Sequence, residues 1–344
     1  MKCRTIGIDL AKNVFQVCGV NKGNKPLFNE KLKRNQLLSF LNSLDKTTVI
    51  MEACYSSNYW AREIAKLGHQ VKLIPAQHVT PFVRGNKNDR NDALAIVEAS
   101  QRPHIRFVPV KTEYQQEINS MHRIRERLIR NRTAILNQIR GLLSEFGVIA
   151  NCGKKALLIR VAYFVIDPKF SQSLRDIISE LYQEHSDMTK RIEKIETRLK
   201  QFVEACPSGE LLMSIPGIGF INASAILATI DKGQAFNSPR EFAAWLGLTP
   251  SQYASGNTNR MGGITKRGDR YIRKQLIHGA RTVVCHAKHK TDNLNLWANK
   301  LRQTKSFNKT VVAMAHRLAR LIWILLQRQE PYNPRYQTQL VEGC

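Results

Sequence analysis

The sequence has no cysteine pattern typical of a zinc site or a disulfide framework. Its seven cysteines are scattered, and no two of them form a CxxC pair. Such thiols are typical of a reducing compartment, and this favours a cytoplasmic protein over a secreted one. No signal peptide is indicated either, because Asp9 falls where the apolar part of a signal peptide would lie.

Long apolar runs free of charge are also missing. The longest run near the C-terminus, residues 311–326, is interrupted by His316, Arg317 and Arg320. A membrane span needs a continuous apolar stretch of about 20 residues, so the sequence predicts no span and no membrane partner.

Acidic residues are scarce relative to basic ones. Among 344 residues, 53 are Lys or Arg and 27 are Asp or Glu, which gives a net charge of +26. A soluble chain with this excess is typical of proteins that bind a polyanion, and nucleic acid is the usual one.

The periodicity of apolar residues predicts three regions in a chain long enough for two or three domains. Alternating strands and helices indicate an α/β domain over residues 1–110. Two long helices with mixed charge predict a helical, coiled-coil-like region over 111–205. A mainly α-helical domain follows over 206–344, and its Ile215–Gly219 turn resembles a helix-hairpin-helix element.

Four acidic residues form the strongest candidate site. Asp9 and Glu52 each end a predicted strand, and Asp89 and Asp92 lie three residues apart where a helix is expected to begin. Chemistry in α/β sheets gathers at the carboxyl ends of strands, and residues at i and i+3 share a helix face. Four carboxylates suit two Mg²⁺ or Mn²⁺ ions. The alternative is that Asp89 or Asn91 only caps the helix.

Ser255 is the candidate nucleophile. It lies in a flexible, glycine-rich, basic stretch, and nearby cations would neutralise the charge that develops when a serine hydroxyl attacks a phosphodiester. Most serines beside glycine only form turns, and Ser251 is a rival four residues earlier.

Further residues are candidates for holding nucleic acid through phosphate contacts or backbone N–H groups. Three of them are on the first long helix: Arg123, Arg127 and Arg130. The alternative is that these arginines form only a solvated helix face. Two more, Gly217 and Gly219, are in the glycine turn. The remaining candidates, around and after the serine stretch, are Arg260, Lys266, Arg267, Arg270, Arg273 and Lys274.

Six segments together resemble the DEDD transposases of the insertion-sequence 110/1111 family, in the same order along the chain. They are Gly7–Lys12, Met51–Cys54, Lys87–Ala93, Ile215–Gly219, Leu246–Pro250 and Thr265–Arg273. The resemblance implies an N-terminal RuvC-like, ribonuclease-H-type fold with a metal site at the four acids. It also implies a coiled-coil linker and a C-terminal domain with a nucleophilic serine. The family often has Ser-Ser-Gly at that position, whereas this chain has Ala254 before Ser255.

The resemblance further implies an insertion-sequence transposase that cuts and rejoins donor and target DNA through a covalent phosphoserine linkage. It implies guidance by a structured bridge RNA and a site composed from two protomers, in a homodimer or homotetramer. Two other functions stay open: a RuvC-like junction nuclease that uses water, and a non-catalytic nucleic-acid-binding protein.

Overall fold

A computed structural model describes residues 3–83, 88–103, 105–256 and 258–334. The chain forms two compact units, Met1–Gln115 and Gln116–Cys344. The first is α/β with a mixed sheet and the second is mainly helical, which confirms the predicted fold class of the two ends. The finer division at residues 110 and 205 stays a prediction.

The first unit is built on one five-stranded sheet. Its strands are β1 (Thr5–Leu10), β2 (Val14–Val20), β3 (Pro26–Lys33), β4 (Thr48–Glu52) and β5 (Gln70–Ile74). Its helices are α1 (Leu37–Asn42), α2 (Ser57–Lys66), α3 (Ala76–Val79) and α4 (Asp89–Ser100), with a 3₁₀ turn at Thr80–Phe82. The strand order is β3-β2-β1-β4-β5, in which β1, β4 and β5 are parallel and β2 is antiparallel to both neighbours. This mixed sheet is consistent with the RuvC-like domain that the resemblance implies.

Both faces of the sheet are covered, because successive side chains of a strand point to opposite sides. Ile8 and Met51 pack on one face with α1 and α2 residues such as Trp60. Helix α4 packs on the other face, and its backbone lies close to Gly7 of β1. A Cβ on Gly7 would lie 2.6 Å from the Ala93 carbonyl oxygen.

The second unit contains nine α-helices and one hairpin within its described residues. The helices before the hairpin are α5 (Glu113–Glu145), which begins in the first unit, α6 (Lys154–Ile166), α7 (Gln172–Glu204), α8 (Pro207–Met213), α9 (Phe220–Ile230) and α10 (Pro239–Trp245). The hairpin is β6 (Pro250–Ser255) and β7 (Thr258–Ile264), and α11 (Arg270–His286), a 3₁₀ turn at Ala287–His289, α12 (Asn293–Thr304) and α13 (Phe307–Arg328) follow.

Two apolar clusters hold the helices of this unit. Ile118 of α5 and Val203 of α7 belong to the larger cluster, which α8 to α13 complete. Ile139, Val161 and Ile178 belong to a second cluster, which joins the far half of α5 to α6 and to the beginning of α7. The sequence patterns did not predict α6, although the two long helices predicted in this region are present as α5 and α7.

The charges in residues 311–326 led to the prediction that no segment there could span a membrane, and this needs correction. By length and composition α13 is long and apolar enough to cross one, and 56% of its most apolar window is buried inside the protein. Met314, Leu318 and Ile322 are fully buried in the larger cluster of the second unit. In this structure α13 is therefore a core helix.

Candidate functional site

Asp9 and Glu52 lie side by side at the carboxyl ends of two parallel strands. Ile8 of β1 is the register partner of Met51 of β4, so the next residue on each strand is one of the two acids. Adjacent strands are about 4.8 Å apart, and paired positions point to the same face. That face is the one on which α4 packs, because Gly7 shares the orientation of Asp9.

Two asparagine side chains fix the beginning of helix α4, one before the helix and one on the sheet. Asn88 is its N-cap, with the Asn91 N–H donating to Asn88 Oδ1 at 2.9 Å. The cap is therefore Asn88 and neither Asp89 nor Asn91. Asn29 of β3 donates to the Arg90 carbonyl oxygen at 3.1 Å, which attaches the first helical turn to the sheet. Lys87, which belongs to the same motif, lies outside the described residues.

The two aspartates of α4 belong to neighbouring stripes of the helix. Asp92 shares its stripe with Ile96 and Ala99, which pack with Ile50 and Ile74 of β4 and β5. This stripe directs Asp92 towards the strand that carries Glu52.

Asp89 shares its stripe with Ala93 and Val97, which pack with residues of β2. It also forms an exposed ion pair of 4.0 Å with Lys31 of β3. Neither Lys31 nor Asn29 was predicted as a site residue from the sequence. Asn29 and Lys31 lie at i and i+2 on the edge strand β3 and therefore share a face, but their contacts with α4 depend on the tertiary fold.

The four carboxylates do not form one compact cluster in this structure. No group of three or more His, Cys, Asp or Glu residues within the described part of the chain is close enough to hold a metal ion. Asp9 and Glu52 nevertheless act on a common point, the Cys54 thiol. Burial raises the pKa of that thiol to about 11, and the charges of Glu52 and Asp9 raise the pKa as well. Paired carboxylates that create such a field fit a divalent cation with oxygen ligands.

Ser255 lies at the end of a hairpin, not in an unstructured glycine-rich loop as the sequence suggested. It is the last residue of β6 and pairs with Thr258 of β7 across a turn that contains Gly256 at φ +54°. Gly-Asn between two strands is a known two-residue turn signal, and it is present here as Gly256 and Asn257. All six residues of β6 are exposed, so the Ser255 hydroxyl is accessible.

Ser251, the rival nucleophile, has a local role in the hairpin. Its hydroxyl donates to the Gly263 carbonyl oxygen at 3.0 Å. The register of the two strands shifts at this point, and a Cβ on Gly262 would lie 2.5 Å from Ser251 Oγ. Ser251 is thus bonded to a glycine bulge at the base of the hairpin.

The base of the hairpin is fixed by close packing with the segment after α10. The buried Arg273 donates to the carbonyl oxygens of Leu246 and Arg267, at 2.8 Å each. Gly268 has φ +74°, and a Cβ there would lie 1.7 Å from the Trp245 carbonyl oxygen. Arg273, predicted as a nucleic-acid contact, therefore has a structural role inside the protein.

The other basic candidates differ in how free they are. The side chains exposed to solvent are Arg123, Arg127, Arg130, Arg260, Lys266, Arg267 and Arg270. Lys274 of α11 forms an ion pair with Glu126 of α5. Arg125, which is next to Glu126 on α5, forms an ion pair of 2.6 Å with Glu196 of α7. Arg125 and Lys274 are thus already paired within the protein.

The glycine turn before α9 also has a packing role. Gly217 has φ +84°, and a Cβ there would lie 2.6 Å from the Gly279 carbonyl oxygen of α11. Gly219, the N-cap of α9, has open space where a Cβ would be. Of the two glycines, Gly219 is the one whose surroundings leave room for a phosphate.

Comparison with known proteins identifies the family. Residues 6–148 match the DEDD transposase model of IS110, and residues 209–294 match the model for the transposase IS116/IS110/IS902 family. A probable family 20 transposase of Pseudomonas aeruginosa is 43% identical over 97% of this chain and 100% of its own length. The chain belongs to this transposase family.

Two further relatives of the transposase are named for particular insertion sequences. The transposase for insertion sequence element IS1111A of Coxiella burnetii is 38% identical over 96% of this chain and 91% of its own length. The transposase for insertion sequence element IS1328 of Yersinia enterocolitica is 37% identical over 93% of this chain and 96% of its own length. The transposase is therefore an enzyme that acts on DNA by cutting and rejoining it, and its DEDD domain is of a type that is typically metal-dependent.

Proposed function

We propose that this transposase cuts and rejoins DNA by using the Ser255 hydroxyl as nucleophile and the acids Asp9, Glu52, Asp89 and Asp92 as ligands of Mg²⁺ or Mn²⁺. The observation that carries the proposal is the position of Ser255 at the tip of an exposed hairpin whose base is fixed. An accessible hydroxyl on a rigid support is what a nucleophile in strand exchange requires.

The reaction exchanges one phosphoester bond for another. Ser255 Oγ loses its proton and forms a bond to phosphorus, and the departing oxygen of the DNA strand takes up a proton. A hydroxyl of a second strand then attacks the phosphoserine, which rejoins the DNA and restores Ser255. Two bound divalent ions would neutralise the charge on the attacked phosphate and on the leaving oxygen.

The acids have different tasks in this proposal. Asp9 and Glu52 supply oxygen ligands from the sheet, and Asp92 supplies one from the helix stripe that faces them. Asp89 is paired with Lys31 here, and we propose that it exchanges this exposed partner for the metal site. An exposed ion pair of this kind contributes only about 0–1 kcal/mol, so the exchange costs little.

Specificity and assembly are proposed on the basis of the resemblance. A structured bridge RNA would select donor and target DNA, and the net charge of +26 supports contact with more than one nucleic acid. The proposed contacts are the exposed arginines of α5, the turn at Gly219, and the exposed basic residues after the hairpin, which are Lys266, Arg267 and Arg270. The turn at Gly219 would act as a helix-hairpin-helix element. The long helices would act as a coiled-coil linker in a homodimer or homotetramer, in which the acids of one protomer act with Ser255 of another.

Trapping of the covalent intermediate tests the nucleophile. Protein and labelled element-end DNA are incubated with Mg²⁺ and bridge RNA, then denatured and separated, so that only a covalent adduct keeps the label on protein. Ser255→Ala should abolish the adduct and the recombinant product, whereas the matched variant Ser251→Ala should retain both. An adduct that persists in Ser255→Ala would overturn the proposal.

A water-using RuvC-like nuclease is the second candidate, because the four acids lie in one compact unit and Ser255 in the other. The first unit alone thus contains the groups that a hydrolytic enzyme would need. In that case Ser255→Ala would still cut DNA and no adduct would form with the unchanged protein. Asp9→Asn and Glu52→Gln should stop cutting under both mechanisms.

A further inference from the structure

We propose that Tyr253 and Arg260 form, together with Ser255, a nucleotide-binding face of the hairpin. Tyr253 would stack on the base beside the attacked phosphate, and Arg260 would hold a phosphate of the same strand. This proposal rests on the proposed role of Ser255 and names how the DNA strand is held against that residue.

The register of the hairpin puts these residues on one side. Ser255 pairs with Thr258, and Tyr253 pairs with Arg260 two positions further from the turn. Paired residues of antiparallel strands point to the same face, and so do residues at i and i+2. A hydroxyl, an aromatic ring and a guanidinium therefore follow one another along the Ser255 face.

The opposite face of the hairpin has a different composition. It carries Gln252, Ala254, Asn259 and Met261. Gln252 Nε2 donates to Asn259 Oδ1 at 3.1 Å, so the polar groups of this face are bonded to each other. Met261 is the one large apolar side chain there and has no charge with which to hold a phosphate.

Tyr253 has no packing role that would explain an aromatic residue at this position. The side chain is 68% exposed, and no described residue forms a hydrogen bond or ring contact with it. Aromatic residues are common in strands because they pack against neighbours, but nothing described covers this ribbon. Arg260, its cross-strand partner, is also exposed and forms no ion pair with a described residue.

The chemistry of the face selects a nucleotide. Aromatic rings stack on bases with little sequence preference. Guanidinium groups form bidentate hydrogen bonds with phosphate oxygens. In an RNA-guided enzyme, a contact near the cut that reads no sequence is compatible with any target. Removing one such stacked ring is expected to weaken binding or reaction about 5- to 150-fold.

The first test measures adduct formation with the full-length protein, Mg²⁺, bridge RNA and element-end DNA. Tyr253→Ala should slow the adduct about 5- to 150-fold, while Tyr253→Phe and Tyr253→Trp keep the wild-type rate. Met261→Ala is the matched control, because Met261 is 63% exposed on the opposite face, and it should have no effect. An abasic nucleotide beside the cut should slow the wild-type protein and leave Tyr253→Ala unchanged.

Equal rates for Tyr253→Ala and Met261→Ala would overturn the proposal, as would failure of Tyr253→Phe to retain the rate. A structural defect would slow Tyr253→Ala by the same factor relative to the wild type on normal and on abasic DNA. That result would also contradict stacking, which predicts that the two proteins react at the same rate on abasic DNA.

A second test does not depend on Ser255 as nucleophile. In a Ser255→Ala background, 2-aminopurine is placed in turn at each nucleotide around the element's end, in the DNA strand and in the matching RNA. Quenching at one DNA position that disappears in Tyr253→Ala supports the proposal even if Ser255 proves not to be the nucleophile. Quenching only in RNA, or equal quenching with and without Tyr253, would contradict a DNA-stacking role.

Discussion

Single residues of one chemical type have different roles in this protein. Arg273 is 8% exposed and donates to two backbone carbonyls, and burial lowers the pKa of its guanidinium. Arg270, three residues earlier on α11, is exposed. Both fit a basic helix in the sequence. Only the positions of the Leu246 and Arg267 carbonyls distinguish them, and those positions depend on the tertiary fold.

His122 is a buried residue that the sequence patterns did not mark. It is 2% exposed, with Nδ1 2.9 Å from the Tyr271 hydroxyl and Nε2 3.0 Å from Ser224 Oγ. Burial, followed by the charge of Arg125, lowers its pKa to about 4. The neutral ring thus joins α5 to α9 and α11.

This environment predicts a loss of stability in acid. The unfolded chain binds a proton at His122 below its ordinary pKa of about 6.5, whereas the folded protein resists protonation down to about pH 4. The contribution of the neutral His122 ring to the free energy of unfolding is therefore fully present above pH 6.5, and it is lost as the pH falls towards 4. We expect the free energy of unfolding of the second unit to fall by about 3 kcal/mol from this residue between pH 7 and pH 4.

Urea denaturation at a series of pH values measures this decline. His122→Gln should be less stable at pH 7 but should have a flatter pH dependence than the wild type. The exposed His286 provides the control, since His286→Gln should keep the wild-type slope. Identical slopes for His122→Gln and the wild type would show that His122 does not titrate in this way.

At the scale of elements, the candidate acidic site depends on how closely α4 approaches the sheet. Gly7 allows this approach, because a Cβ would lie 2.6 Å from both the Ala93 carbonyl oxygen and Val97 Cγ2. The same helix carries Asp89 and Asp92 in its first turn. A shift of α4 would therefore move two of the four acids away from Asp9 and Glu52.

Gly7→Ala should destabilise the first unit by about 1–3 kcal/mol, the usual cost of overpacking, and should also reduce DNA cutting. Thermal unfolding and adduct formation measure the two effects on one protein sample. Gly23→Ala is the control in the same unit, since the nearest atom to its Cβ would be 3.5 Å away. If Gly7→Ala lost stability but kept full cutting activity, the link between α4 packing and the acids would be wrong.

The elements also show which parts of the fold can be predicted. The strands that carry Asp9 and Glu52 were predicted correctly, because runs such as Thr5–Leu10 are apolar. The hairpin was not predicted, because its strands are exposed and carry no apolar alternation. Asp9 and Glu52 were placed together correctly on the sheet edge from their positions at strand ends. The pairing of Asp89 with Lys31 could not be predicted, since it depends on the register of β2 with β3.

At the scale of the whole molecule, a net charge of +26 does not identify the surface that binds nucleic acid. On α5, Arg123, Arg127 and Arg130 are exposed and form no ion pair with a described residue. Arg125, on the same helix, is paired with Glu196. The structure thus separates the free cations of this helix from one that the fold already uses.

The salt dependence of duplex DNA binding tests whether the free cations contact phosphates. Each phosphate contact contributes about 0.9 to the slope of log K against log salt, so replacing all three exposed arginines with alanine should reduce the slope by roughly 3. Alanine is a good helix former, so α5 should stay folded. Arg125→Gln should leave the slope unchanged while lowering stability, because its partner Glu196 is in the protein. A triple variant with the wild-type slope would show that this stripe is only a solvated face, and that the contacts lie elsewhere on the chain.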